Sequence, residues 1–234
     1  MNSGEQPRHT DLSHADKSVI LTSDGSHTLY VPEIDECYHS THGAIQESQH
    51  IFIETALRHC KKPVIRILEI GFGTGLNALL TFAEAEKSGK KIFYHSLEKY
   101  PVSKENALQL NYSSLCRMND NHIFEAMHKA EWNCAVNITE NFMLEKTECD
   151  FTEYDLPYTY DVIYFDAFSP EKQPEMWSED QFSKVFVAAE NAAILSTYCA
   201  KGWVRRAMQT AGLKVERLPG PPGKREILRA TKEV

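Results

Sequence analysis

Two acids stand at the ends of apolar runs that read as β-strands: Glu98 after Tyr94-His95-Ser96-Leu97, and Asp166 after Asp161-Val162-Ile163-Tyr164-Phe165. A third, Glu69, lies two residues ahead of Gly71, Gly73 and Gly75, in the run Val64-Ile65-Arg66-Ile67-Leu68-Glu69-Ile70. Glycines at alternate positions let backbone and ligand approach without Cβ obstruction, and the helix that follows presents free amides at its N-terminus. This pattern predicts binding of a nucleoside, with the Glu98 carboxylate accepting both ribose hydroxyls. The spacing is G-x-G-x-G, not the G-x-G-x-x-G that sets a helix against a pyrophosphate. That difference favours S-adenosylmethionine over NAD as the ligand.

Glu69 is then placed to meet the ammonium of a methionine moiety, directly or through water, or to orient the amides of the glycine turn. Asp150, after a strand and ahead of Phe151, is a candidate acceptor for an adenine amino group, with Glu148 and Asp155 as nearby alternatives. Asp166 falls close to the glycine turn, over the transferable methyl; as a purely structural residue it would cap the turn before Pro170. Its strand is otherwise apolar, which holds the acid rigidly, and Phe168 with Trp177 offers flat surfaces on which a base can stack. Methyl transfer from a sulfonium needs little covalent help, because the leaving group is already activated and the enzyme holds three atoms in line. An amine nucleophile must first shed its proton. Asp166 is suited to attract, orient and relieve it, and orienting is the firmer role because an ordinary aspartate is a weak base at neutral pH.

The elements that must position these residues follow from the apolar periodicity. Strand and helix signals alternate: strand 64–70, helix 75–88, strand 91–97, helix 102–111, an unassigned stretch to 141, and strand 142–147. The series continues with strand 161–166, helix 178–190, strand 193–199, helix 202–211 and terminal strands 213–218 and 226–231. Such alternation predicts a mainly parallel, doubly wound α/β sheet of the Rossmann-like class, with ligands at the carboxyl ends of its strands. The turn Pro219-Gly220-Pro221-Pro222-Gly223 gives the sheet an antiparallel finish. Ahead of the core, residues 19–31 read as a β-hairpin turning at Ser23-Asp24-Gly25-Ser26, and 43–60 carry apolar residues at helical spacing. Residues 1–17 are polar and expected to be loosely attached. The division is an N-terminal extension, 1–62, packed on a catalytic domain, 63–234.

The composition of the 234 residues, 42% apolar and 25% charged, is that of a globular protein. There is no apolar run long enough for a membrane span and no signal peptide, so a cytoplasmic location is expected. Six scattered cysteines without a C-x-x-C pair fit reduced thiols, and no metal site is expected. The net charge of −8 argues against a generic nucleic-acid binder, but nine Lys/Arg against three acids from Lys201 onward leave +6 there and −14 on residues 1–200. This basic segment is either a solvated face or a phosphate-contacting edge.

Several blocks in order resemble one family. They are Asp24-Gly25-Ser26 with Pro32-Glu33 and Tyr38-His39-Ser40; Gly71 to Asn77; Leu97-Glu98-Lys99-Tyr100-Pro101; Phe165 to Pro170 with Pro174-Glu175-Met176-Trp177; Gly202-Trp203-Val204-Arg205-Arg206; and Gly223-Lys224-Arg225-Glu226. The chain is similar, from about Ser23 to Thr231, to the methyltransferases of bacterial tRNA wobble-uridine modification, either free-standing (MnmD type) or fused to an FAD-dependent oxidoreductase (MnmC type). The resemblance implies S-adenosylmethionine-dependent methylation of the exocyclic amine of 5-aminomethyl-(2-thio)uridine at the tRNA wobble position. It makes Asp166 the catalytic acid, puts Phe168 and Trp177 in a nucleoside pocket, and makes Arg205, Arg206, Lys224 and Arg225 tRNA contacts. Its blocks add Asn77 and Lys99 to the cofactor side beside Glu69, Gly71, Gly73, Gly75, Glu98 and Asp150. It further implies a free-standing form without FAD, supplied by a separate oxidoreductase or by upstream enzymes that form the aminomethyl-uridine. Three positions depart from the family pattern: Gln173 for a frequent Asn, Asn191-Ala192-Ala193 for a glycine turn, and Ile227 for a frequent Met. The competing readings are a methyltransferase for a small amine or protein, an NAD-binding oxidoreductase, and a non-catalytic binding module.

Overall fold

The computed structural model describes residues 12, 15–116 and 122–233. The first strands, β1 (Ser18–Leu21), β2 (His27–Val31) and β3 (Glu36–Cys37), form a small antiparallel sheet, one strand more than the predicted hairpin. Its turn lies where Asp24-Gly25-Ser26 predicts it, and it does a second job. Asp24 Oδ2 accepts from Gln46 N at 3.0 Å and Ser26 Oγ accepts from Ala44 N at 3.1 Å, so the turn caps the otherwise unpaired amides of α1 (Ala44–Ser48).

The predicted helix over 43–60 is not continuous. After α1 the backbone widens into a π-helical stretch, Gln49–Glu54, and ends in a 3₁₀ turn, Leu57–His59. Thr55 explains the widening, since both its N–H and its hydroxyl donate to the His50 carbonyl, five residues back. The loosely attached start predicted for residues 1–17 falls on positions 1–11, 13 and 14 outside the described residues. Leu12 corrects it where it can be seen: it is 3% exposed, and its carbonyl accepts from Lys17 Nζ.

The main sheet contains β4 (Val64–Ile70), β5 (Lys91–Glu98), β6 (Cys134–Thr139), β7 (Phe142–Glu148), β8 (Tyr160–Phe165), β9 (Ala189–Thr197), β10 (Lys214–Pro219) and β11 (Glu226–Thr231). Their order is β10-β11-β9-β8-β4-β5-β7-β6. The pairs β7-β5, β5-β4, β4-β8 and β8-β9 are parallel, and β11 and β10 close one edge antiparallel as predicted. The opposite edge is antiparallel too, because the unassigned stretch before 141 forms α5 (His122–Lys129) and β6. The predicted helix 102–111 shortens to α3 (Lys104–Ala107), and a separate short helix, α4 (Tyr112–Leu115), follows it. Between them the Asn111 amide is taken up in holding the hairpin, accepting from His27 N and donating to Gly25 O.

Side chains alternate across the central strands and define two cores. Ile65, Ile67, Tyr94, Val162 and Tyr164 pack on one face with α2 (Leu76–Ser88) and the 44–57 segment. Leu68, Ile70, Leu97, Ile163 and Phe165 pack on the other with α6 (Glu179–Ala188) and α7 (Gly202–Thr210). No turn separates α6 from β9, which starts four residues earlier than predicted and carries Ala192 in the left-handed region at φ 62°. In this way the three-residue departure from the family's glycine turn is absorbed as a distortion within the strand, opposite Tyr160–Val162 where the register shifts.

The amino ends of β4 and β8 are locked together by Asp161, which accepts from Arg66 N at 2.8 Å and pairs with Lys62. Asp161→Ala strands a backbone N–H in the sheet. It should lower stability by about 1–3 kcal/mol in urea denaturation while leaving ligand affinity at the far, carboxyl end unaltered.

Candidate active site

The sequence changes direction in the sheet between β4 and β8: from β4 it winds outward through β5 and β7, then crosses back to β8 and β9. A crevice opens at the carboxyl ends of strands at such a switch point. The register pairs Ile70 with both Leu97 and Phe165, so Gly71, Glu98 and Asp166, each the next residue, emerge side by side. They line one cavity of about 520 Å³.

Gly71 has φ 97°, and a Cβ on it would lie 2.6 Å from the Asp166 carbonyl oxygen, so the two loops can meet only because this residue has no side chain. Gly73, at φ 50°, is similarly pressed by the Tyr38 ring. Glu98 braces the turn: its Oε2 accepts from Gly73 N at 2.9 Å and its Oε1 from Tyr100 N at 2.8 Å. Burial pushes its pKa up, against the pull of those backbone donors. Asp150 and Lys99 face the same end of the cavity, paired at 2.6 Å. Burial works against the Asp150 anion, but Lys99 and the Thr152 donors outweigh it and hold the carboxyl below its ordinary range.

At the other end stands Asp166. Burial lifts its pKa to about 7; Asn77 Nδ2, donating at 2.8 Å, and Lys224 oppose the rise, while Glu47 adds to it. Phe168 lies beside it, its ring 5.1 Å from that of Tyr38 in an edge-to-face pair. The N-terminal strands reach in here as well. Glu36 Oε1 and Oε2 accept from Ser169 N and Oγ, both at 3.1 Å, clamping the loop that follows Asp166.

Not every residue predicted for the site reaches the cavity. Gly71, Gly73, Glu98, Lys99, Asp150, Asp166, Phe168 and Lys224 line it. Glu69, Gly75 and Asn77 lie behind its wall; Glu69 is completely buried and accepts from Ser96 Oγ at 2.6 Å. Trp177 is corrected from a stacking surface to core: it is 0% exposed, packs on Phe165 at 4.9 Å, and donates Nε1 to the Phe168 carbonyl at 2.9 Å. A large ring with one polar edge is stable in that setting, and its N–H supports the loop that presents Phe168. Of the four basic residues, Lys224 is drawn inward, 3.3 Å from Glu47 and 4.8 Å above the Tyr198 ring. Arg206 and Arg225 are exposed and Arg205 is half-buried, none of them lining the cavity.

Lining residues that sequence reasoning missed include Leu12, Glu36, Glu47 and Tyr198. Tyr38 stands in one of the family-like blocks without a role being read from it. Glu36, Glu47 and Tyr198 come from a two-residue strand, a short helix and a strand-end turn, and Leu12 precedes the first strand, so nothing local marks them as lining a cavity. Among the described residues, no group of three or more His, Cys, Asp or Glu is arranged to hold a metal ion, and no helix is long and apolar enough to cross a membrane.

A family described as S-adenosyl-L-methionine-dependent methyltransferase matches residues 120–233. The chain is similar to the tRNA 5-methylaminomethyl-2-thiouridine biosynthesis bifunctional protein MnmC of Cupriavidus metallidurans, 31% identical over 89% of this chain and 33% of that protein. The MnmC protein of Magnetococcus marinus is 30% identical over 100% of this chain and 36% of its own length. The chain therefore spans about a third of the length of the curated relatives it matches. The crystal structure of MnmC2 from Aquifex aeolicus matches with a TM-score of 0.75 and 26% identity, over 97% of this chain and 72% of that one. Spermidine synthase from Thermotoga maritima, 13% identical with a TM-score of 0.57, over 94% of this chain and 72% of that one, shares the fold. The architecture is that of the Rossmann-like S-adenosylmethionine-dependent methyltransferases.

The burial of Trp177 separates its effect from that of Phe168. Trp177→Ala should cost about 3–5 kcal/mol in denaturant unfolding, as loss of a core ring does. Phe168→Ala, at a half-buried position on the cavity wall, should leave the unfolding midpoint within experimental reach of the parent while weakening nucleoside binding in calorimetry.

Proposed function

We propose, on the premise that the chain is an MnmC-type methyltransferase domain, that it methylates the exocyclic amine of 5-aminomethyl-(2-thio)uridine at the wobble position of tRNA. The observation that carries this reading is that Glu98 and Asp166 share one cavity with the glycine turn between them. Its volume is within the roughly 300–1,000 Å³ usual for small-molecule sites.

The residues present fit S-adenosylmethionine as methyl donor. Each Glu98 oxygen already accepts one backbone N–H and keeps capacity for a ribose hydroxyl. Gly71 and Gly73 bring backbone against the ligand, and Asp150, held anionic by Lys99, is an acceptor for an adenine amino group. When bound, S-adenosylmethionine supplies a sulfonium methyl that needs no further activation. The protein's task is then to hold the acceptor in line and keep it neutral.

Asp166 does this from the acceptor side. Its anion attracts the aminomethyl ammonium and, with a pKa near 7, it can take the proton that the amine must lose. S-adenosylmethionine held at the glycine turn and Glu98 would supply the methyl to the neutral amine, and Asp166 would hold the proton that the amine releases or pass it to solvent. Phe168 and Tyr38 give the uracil ring apolar surface. Arg205, Arg206 and Arg225 supply positive charge for the phosphates outside the cavity. The aminomethyl substrate would be handed over by a separate oxidoreductase or by upstream enzymes that form it, and a tRNA substrate fits action in the cytoplasm.

Purified protein given S-adenosylmethionine and tRNA carrying 5-aminomethyl-uridine should yield the 5-methylaminomethyl nucleoside by mass spectrometry; no conversion would end the proposal. Asp166→Ala should lower the single-turnover rate by about 10²–10⁴-fold. Because the carboxylate is the working form, kcat/KM of the parent should rise as pH climbs through about 7. Asp166→Asn should lose that limb.

A further inference from the structure

Three of the five residues in the glycine turn, 71–75, have no side chain, so its shape must be fixed by Phe72, by Thr74 and by whatever holds its backbone. Thr74 is buried on the cavity wall and is held at two points. Its hydroxyl oxygen lies 2.6 Å from His39 Nε2, and the Tyr112 hydroxyl donates to the same oxygen at 3.4 Å. Its carbonyl oxygen lies 3.1 Å from His128 Nε2. A carbonyl only accepts, so that nitrogen of His128 carries a proton.

The two histidines come from separate parts of the fold. His39 follows β3, and its own N–H donates to Thr28 Oγ1 of β2 at 2.9 Å, so the small N-terminal sheet carries the ring to the turn. His128 stands on α5, between Phe72 and Phe124, with ring centroids 5.5 and 4.6 Å away. It closes on the next residue as well: a Cβ on Gly75 would meet Nε2 at 2.8 Å. Burial, the main cause in each case, pushes both imidazoles down to about 4, so near pH 7 each ring is neutral, with one donor and one acceptor nitrogen. Neutral rings can grip the turn without adding positive charge to a cavity that takes a sulfonium.

We propose that Thr74 is a positioning residue for the methyl donor, and that His39 and His128 hold it so that the N-terminal sheet and α5 together set the shape of the glycine turn. Thr74 acts through the backbone on either side of it. Gly73 N donates to Glu98 Oε2, Gly75 N donates to Phe72 O, and Gly75 O accepts from Leu79 N in α2. A shift at Thr74 therefore moves both the brace from Glu98 and the first turn of the helix. The N-terminal sheet serves this end of the cavity through His39, in addition to the Asp166 end that Glu36 and Tyr38 reach. For its consequence the inference rests on S-adenosylmethionine as the ligand of the turn, but the grip belongs to the ligand-free chain.

Hydrogen exchange of the ligand-free chain reads the grip. Thr74→Val keeps the size of the side chain and removes its hydroxyl, and the Gly75 N–H should then exchange about tenfold faster than in the parent. His39→Phe, which keeps a flat ring, should do the same. Thr74→Ser, which keeps the hydroxyl, should exchange as the parent does. Parent-like exchange in both T74V and H39F would overturn the proposal whatever ligand the turn takes.

Affinity reads the consequence. In calorimetry T74V and H39F should each bind S-adenosylhomocysteine about tenfold more weakly than the parent. The double variant should lose no more than about twofold beyond the weaker single one, since both substitutions break one contact. T74S should restore the parent's affinity. Variants that unfold at lower temperature yet bind S-adenosylhomocysteine as tightly as the parent, or a double variant whose losses multiply, would reduce the contact to packing and sink the proposal. A parent that binds no S-adenosylhomocysteine would reject the donor assignment, leaving Gly75 exchange to decide the grip. Binding as expected without methylation of tRNA would reject the substrate assignment alone.

Discussion

The register of three parallel strands is the constraint on which the site depends. With Ile70 opposite Leu97 on one side and Phe165 on the other, the residues that follow are delivered to one line at the carboxyl edge. In a parallel ladder a slip by one residue would turn every side chain to the other face, so the two apolar cores and the position of the site are set by the same pairing. The backbone continues the alignment past the strand ends: Gly71 N donates to Leu97 O, and Asp166 N to Ile70 O. Glycine at position 71 is what lets the loops remain in contact after the ladder stops.

The Asp166 end of the cavity gathers acids. Glu47 is buried and accepts from Ser40 N while pairing with Lys224, Glu36 is engaged by Ser169, and Asp166 is met by Asn77. Each acid has a donor of its own, which keeps the cluster from being merely repulsive. Asp166 has the Asn77 amide as its donor, and burial lifts its pKa to about 7. An aspartate whose ordinary pKa lies well below neutrality is brought close to it by where it is put. The small N-terminal sheet contributes to this setting through Glu36 and Tyr38 rather than simply leaning on the core.

Where the glycine turn and Glu98 lie in the fold was legible because they sit on long periodic elements. The run Val64 to Ile70 could only be a buried strand, the glycines could only be a turn, and the distance from there to Glu98 follows from one helix and one strand. The acceptor half was harder to read for a physical reason. Glu36, Glu47 and Tyr198 act by tertiary placement, and nothing local marks them. Trp177 misled because an aromatic near a strand tip has the same sequence signature whether it lines a pocket or fills the space beneath it. Its indole N–H found a carbonyl in its own loop, and burial followed. The helices expected over 43–60 and 102–111 failed where polar side chains, Thr55 and Asn111, took backbone partners that a continuous helix does not offer.

The contact between Glu47 and Lys224 spans most of the chain, joining a helix near its start to the turn before its last described strand. During synthesis on the ribosome the glycine turn, Glu98 and Asp166 all emerge well before Lys224 does. The glycine-turn end of the cavity can therefore take shape on the nascent chain while Glu47 still lacks its cation, and the opposite end is completed only when the hairpin of β10 and β11 adds to β9. Closure of such a distant pair is a slow class of folding event. It gives assembly an order in time, in which the glycine-turn end of the cavity precedes the end closed by Glu47 and Lys224.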